Sequence, residues 1–182
     1  TGRERIGYLD TMGKTVRPMD YIATKGVQDG FGKLKDAAGK WGILNVKGEA
    51  IAPFEYLEIG SWSDGLAAVS IVSGNSAKWG FLNQNGGIVI PCIYDYATDF
   101  EQGVAMVKQG NKFGLIDAAG QAITPLEFDD FQMTATVEPK SGSADYPPRT
   151  KLQLLSSSGE IRVLKGGQWM TVGVDGKVSA AE

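Results

Sequence analysis

Two carboxylate clusters are the residues whose type and spacing come nearest to chemistry. Asp95, Asp99 and Glu101 form one, and Glu127, Asp129 and Asp130 the other. Carboxyl groups at the right separation hydrolyse a glycosidic bond, and a cage of them binds calcium. No Asp-x-Asp-x-Asp-Gly loop supports calcium here. Asp95 follows Tyr94 and Asp129 follows Phe128. An Asp that recurs after an aromatic reads as a capping residue for local backbone rather than as acid–base machinery. Composition closes off most other routes. The 182 residues include no histidine, which removes Ser–His and Cys–His nucleophiles and every His-ligated metal. The one cysteine, Cys92, follows Pro91 on an apolar stretch without basic neighbours. It reads as a small buried hydrophobe, with a reactive thiol as the alternative. No GxxxxGK[ST] loop is present. The expectation is a non-enzyme with no catalytic residue, cofactor or metal.

Aromatic residues are the second candidate, and they lead to the elements beneath. Trp41, Trp79, Phe113 and Ile6 begin four related segments: WGILNVKGEAIAP, WGFLNQNGGIVIP, FGLIDAAGQAITP and IGYLDTMGKTVRP. Each has glycine at +1, Asp or Asn at +4, glycine at +7, proline at +12 and Tyr or Phe at +15. Gly30, Gly65 and Gly103 add a glycine at +24, and Trp62 and Phe100 lie at +21. A degenerate fifth copy is assigned to Leu152, with Gly159 and Leu164 at its +7 and +12, which leaves 165–182 as a C-terminal cap. A row of rings could grip a glycan or peptide. A stacking site needs a ring, however, and Ile6 fills the same position, so the row reads as core. The +1 glycines read as points where a side chain would strike the next copy.

Each copy predicts three short strands. Apolar residues open it, Asp/Asn-x-x-Gly supplies hairpin chemistry, and an apolar run returns until proline, lacking an N–H, ends the ladder. After a polar link comes a third strand, clearest in Leu66–Ser70 and Val104–Lys108. No apolar 3.6-residue period is sustained, so little helix is expected. One meander cannot bury a face alone, so the copies must stack. The fold expected is all-β: a single domain over 1–182, a tandem array of about five three-stranded β-meander repeats, either an open spiral or a propeller-like ring.

These residues resemble the WG, or KWG, repeat of bacterial proteins. Lys40-Trp41-Gly42 and Lys78-Trp79-Gly80 match its head, and Lys112-Phe113-Gly114 and Arg5-Ile6-Gly7 match with the ring replaced. Tyr94-Asp95 and Phe128-Asp129 match its middle; Trp62-Ser63-Asp64-Gly65 and Phe100-Glu101-Gln102-Gly103 match its end. The resemblance spans roughly 3–164 and is strongest over 40–131. It implies bacterial β repeats that scaffold protein interactions, without a shared catalytic residue.

Charge and linker length suggest where a partner would sit. Residues 1–48 carry a net +4, residues 49–130 a net −8 and residues 131–182 a net +1, which gives −3 overall. An acidic middle would steer a basic protein partner and repel nucleic acid. The longest link, EPKSGSADYPPRT over 138–150, is too polar for core, and insertions at one repeat position fall on one face, often the binding face. The candidate partner-binding residues are therefore Asp64, Asp95, Asp99, Glu101, Asp129, Asp130, Tyr146 and Arg149. The function expected is a protein-interaction module, with an inhibitor or immunity-type partner of a basic toxin as a specific version. A carbohydrate- or envelope-binding module is the alternative, and a carboxylate hydrolase a distant third. No apolar stretch is long enough to span a bilayer. The chain begins at Thr1 rather than Met, which reads as processed or shortened, so periplasm and cytoplasm both stay open.

Overall fold

The computed structural model describes residues 6–9, 13–137, 150–153 and 159–180. Within them all regular structure is strand, in small antiparallel sheets, and no sheet closes into a barrel. The residues gather into two compact units, Thr1–Asp99 and Phe100–Glu182. The first holds β1 (Ile6–Leu9), β2 (Thr15–Tyr21), β3 (Ala23–Gln28), β4 (Phe31–Lys35), β5 (Trp41–Asn45), β6 (Ala50–Tyr56), β7 (Glu58–Ser63), β8 (Leu66–Ser73), β9 (Ser76–Asn83), β10 (Ile88–Tyr94) and β11 (Tyr96–Ala97). The second holds β12 (Val104–Gln109), β13 (Lys112–Asp117), β14 (Asp130–Gln132), β15 (Thr134–Val137), β16 (Thr150–Gln153), β17 (Glu160–Lys165), β18 (Gln168–Gly173) and β19 (Val178–Ala180).

The polar link of each copy contains a strand of its own, so a full copy has four strands rather than three. They do not form one sheet. In the first unit β3-β4-β5-β6 make one four-stranded meander and β7-β8-β9-β10 the next. The copy that starts at Trp41 therefore gives β5 and β6 to one sheet and β7 and β8 to the other. The chain crosses between sheets at the link, where the +16 N–H holds the third strand: Ile22 N donates to Lys35 O and Leu57 N to Ser70 O, both at 2.8 Å.

The +4 and +7 residues make the turn that the sequence predicts. Gly48 N donates to Asn45 O, and Asn45 N to Glu49 O; Gly86 with Asn83, and Gly120 with Asp117, repeat the pattern. The Oδ1 of Asn45, Asn83 and Asp117 accepts two further N–H groups each, which is why a short polar acceptor stands there. Gly48, Gly86 and Gly120 have φ of 76–80°, a region closed to most residues.

Two expectations about the return strand are corrected. Proline does not end it: β2 runs through Pro18, β6 through Pro53 and β10 through Pro91. The missing N–H falls in a bulge. Ile90 pairs with Phe81 and Tyr94 with Trp79, so Pro91, Cys92 and Ile93 oppose Gly80 alone. Pro53, Phe54 and Glu55 likewise oppose Gly42. This bulge also explains the +1 glycine, which meets its own copy and not the next one. A Cβ on Gly42 would lie 2.8 Å from the Phe54 ring, one on Gly80 2.4 Å from Ile90 O, and one on Gly114 2.8 Å from Pro125 O.

Both faces of the first four-stranded sheet are buried, as stacking requires. One meets β7–β10 through Trp41, Ile43, Ala52, Tyr56, Ile59, Trp62, Ala67, Val69 and Leu82. The other packs Leu34 and Leu44 on Tyr21, with Ile6 and Phe54 at the margin. In the second unit Val104, Met106, Leu115 and Phe128 pack on Ile161, Val163 and Val172. There β14-β17-β18-β19 form the four-stranded sheet, with β15 and β16 paired separately.

The fifth copy does not follow the register assigned from Leu152. The turn signature recurs at Gly173–Lys177, where Gly176 N donates to Gly173 O and Gly173 N to Lys177 O. This aligns Trp169 with Trp41 and Trp79. Asp129 N donates to Leu164 O at 2.7 Å, the same bond that Leu57 makes to Ser70, so Leu164 belongs to the third strand of the fourth copy. The fourth copy thus carries an insertion between its link strand β14 and its third strand β17, and β15 and β16 lie inside it.

Candidate functional site

The residues that looked chemical are largely engaged within the fold. Trp41 and Trp62 are each 6% exposed and Phe100 is 2% exposed, whereas Trp79 and Phe113 are half-buried. The ring of Trp41 lies under two amines, Lys25 Nζ at 4.9 Å and Lys35 Nζ at 5.4 Å from its centroid. Its faces meet the protein's own cations and are not an open stacking platform. The indole N–H groups of Trp41 and Trp62 are buried without an acceptor.

The recurring carboxylates pair with the lysine that heads the same copy. Lys78 Nζ donates to Asp95 Oδ1 at 2.5 Å, and Lys112 Nζ to Asp129 Oδ1 at 2.5 Å. Lysine before the aromatic and Asp after the second aromatic face each other because β9 and β10 pair across the bulge, and β13 stands in the same relation to Phe128. Asp129 also accepts from Gly166 N at 2.7 Å, and these bonds, the Lys112 one first, hold its carboxyl below the usual range. Glu127 meets Lys165 at 2.5 Å. The count of acidic residues in the middle of the chain therefore overstates its free charge.

The remaining predicted residues serve turns and links. Asp64 occupies the β7–β8 turn with φ of 51°, next to Gly65. Asp99 lies against Gly60, where a Cβ would be 2.3 Å from its Oδ1. Glu101 exchanges backbone bonds with Val104, and Asp130 Oδ1 accepts from Phe131 N. Tyr146 and Arg149 lie outside the described residues. Asp95 and Asp99 belong to the first unit and Glu101, Asp129 and Asp130 to the second. Among the described residues no group of three His, Cys, Asp or Glu side chains converges as a metal site. Cys92 is half-buried, and burial followed by the nearby Glu55 pushes its thiol pKa up, the reverse of a reactive cysteine.

One feature the sequence reading passed over is Lys33, 4% exposed in β4. A signal for it existed: at +27 the second and third copies carry Ala68 and Met106. A shallow groove also runs beside β18 and β19, lined by Trp169, Met170, Val178 and Ala180, with Trp169 39% exposed and Arg162 5.5 Å over its ring.

Comparison with protein families finds the WG containing repeat twice, over residues 41–71 and 79–113. No curated protein matches the chain.

Proposed function

From those two WG containing repeats, we propose that the chain is a non-enzymatic protein-interaction module. The observation that carries this is the insertion between β14 and β17. The repeat's invariant-looking parts, its buried rings, close-packed glycines and Lys–Asp pairs, are used up in building the fold. The corner between link strand and third strand is only a two-residue turn in the first two copies, Asp29-Gly30 and Asp64-Gly65, and six residues long in the third. In the fourth copy it holds β15, β16 and the chain between them. Elaboration of one corner on a uniform scaffold is how repeat proteins present a binding site.

A protein partner is favoured over a glycan because the Trp41 faces are occupied by Lys25 and Lys35. A basic toxin or enzyme as partner rests on the acidic middle alone, and the internal Lys78–Asp95 and Lys112–Asp129 pairs weaken it. The test compares the full chain with a variant in which residues 133–159 are replaced by Asp-Gly. Crosslinked capture from the source cells should yield a defined protein with the full chain and lose it with the variant, while both stay folded by circular dichroism. Equal capture by both would overturn the assignment of the site. Binding on a glycan array with no protein captured would overturn the class.

A further inference from the structure

Lys33 is a buried charged residue at a position that the second and third copies fill with Ala68 and Met106. It points from β4 across to the second sheet, where its Nζ donates to the backbone oxygen of Gly60 in β7 and lies 5.3 Å from the centre of the Trp62 ring. Gly60 itself is closely packed. A side chain there would run into Asp99 Oδ1 and into Ala68 Cβ, at 2.3 and 3.3 Å from a Cβ. Trp41, Ile43, Ile59 and Trp62, all at most 6% exposed, wall the surroundings. An ammonium ion has three N–H donors and a large hydration energy, which one carbonyl and one ring face replace poorly.

We propose that the Lys33–Gly60 contact is a proton-operated joint between the two four-stranded sheets of the first unit: with the amine neutral the sheets close on each other, and protonation loosens them. The charges around it set the working range. From β3 come Lys25, itself held by Glu58 Oε2 at 2.9 Å and Ile59 O at 2.8 Å, and from the turn after β3 comes Asp29. Lys35 shares β4 and sits over Trp41, and from beyond β11 comes Asp99, with Tyr96 close by. Burial dominates and lowers the Lys33 pKa from 10.5 to about 8; Asp99 and Asp29 oppose it, and Lys25 adds to it. The folded-state value lies below the unfolded one, so between about pH 8 and about pH 10.5 the unfolded chain binds more protons. Stability therefore rises with pH across that window, and below it the full penalty of a buried ammonium is present.

The experiment follows unfolding of the full chain from about pH 7 to about pH 9.5, in wild type and in Lys33→Met, the residue of the third copy. The wild-type folding constant should gain up to about tenfold per pH unit above pH 8 relative to the variant. Cys92 and the tyrosines titrate in both proteins and drop out of the difference. Parallel profiles would overturn the joint. Should Lys33→Met not fold, nitrogen-detected NMR of the lysine amines in wild type decides the matter. A Lys33 midpoint near 8, with amide exchange in β4 and β7 slowing on its deprotonation after correction for the intrinsic rate, supports the joint. A midpoint at the ordinary value of about 10.4 overturns it.

Discussion

Trp41 and Trp79 hold the same place in the repeat but differ in burial, and their energetics should differ with it. Removing the side chain of Trp41, 6% exposed between two sheets, leaves a cavity, and Trp41→Ala should cost about 3–5 kcal/mol. Trp79→Ala, at a half-buried ring, should cost less, and denaturant unfolding of the two variants measures the gap. The +1 glycine is held by sterics alone. In Gly80→Ala the new methyl group would sit 2.4 Å from Ile90 O, against backbone that cannot swing aside, and a loss of about 1–3 kcal/mol is expected in the same assay. Asp129 gives a pH-dependent case. Its carboxyl is held below the ordinary value of 3.8, so its contribution is present at neutral pH and fades as pH falls through the lower native value. Asp129→Asn should therefore unfold more readily than wild type at neutral pH and match it in strong acid; because the side chain is exposed, the difference should be small.

At the scale of elements, replacing residues 133–159 by Asp-Gly should restore a corner like that of Asp64-Gly65. The core of Val104, Leu115, Phe128, Ile161 and Val172 should stay intact, with thermal unfolding still cooperative. Collapse of the second unit would show that β15 and β16 support it. Much of this architecture was legible beforehand. The +4 and +7 residues predicted the turn because an acceptor side chain and a positive φ can each be met by few residues. The bulge was not legible, since proline announces a missing donor without saying whether the ladder stops or skips. The link strand β7 was hidden for a related reason: Glu58–Ser63 holds Gly60 and two serines and is paired by backbone more than by side-chain preference. The fifth copy was misplaced because Met170 and Gly173 have replaced the +1 Gly and the +4 Asp or Asn, leaving the register to hydrogen bonds that no spacing rule reveals. The acidic cluster misled in another way. Charges counted along the chain say nothing of the lysine seventeen positions earlier that neutralises each recurring Asp.

Taken whole, the chain carries a net charge of −3 with a pI near 5.1. It should be least soluble near that pH, where mutual repulsion vanishes, and turbidity across a pH series would show the minimum. Its far-ultraviolet circular dichroism should be dominated by the strand type that the described residues adopt. The half-step between copy and sheet has a further consequence, at the level of the gene. Each four-stranded sheet is completed by strands from two successive copies, so a recombination that adds or drops one copy's length rejoins the ladders whatever the phase of the crossover. The incoming β5–β6 pair finds a β3–β4 pair waiting, and the outgoing β7–β8 pair finds β9–β10. Lineages carrying such a chain can lengthen or shorten it without ever passing through an interior half-sheet, and new strand edges arise only where the array stops.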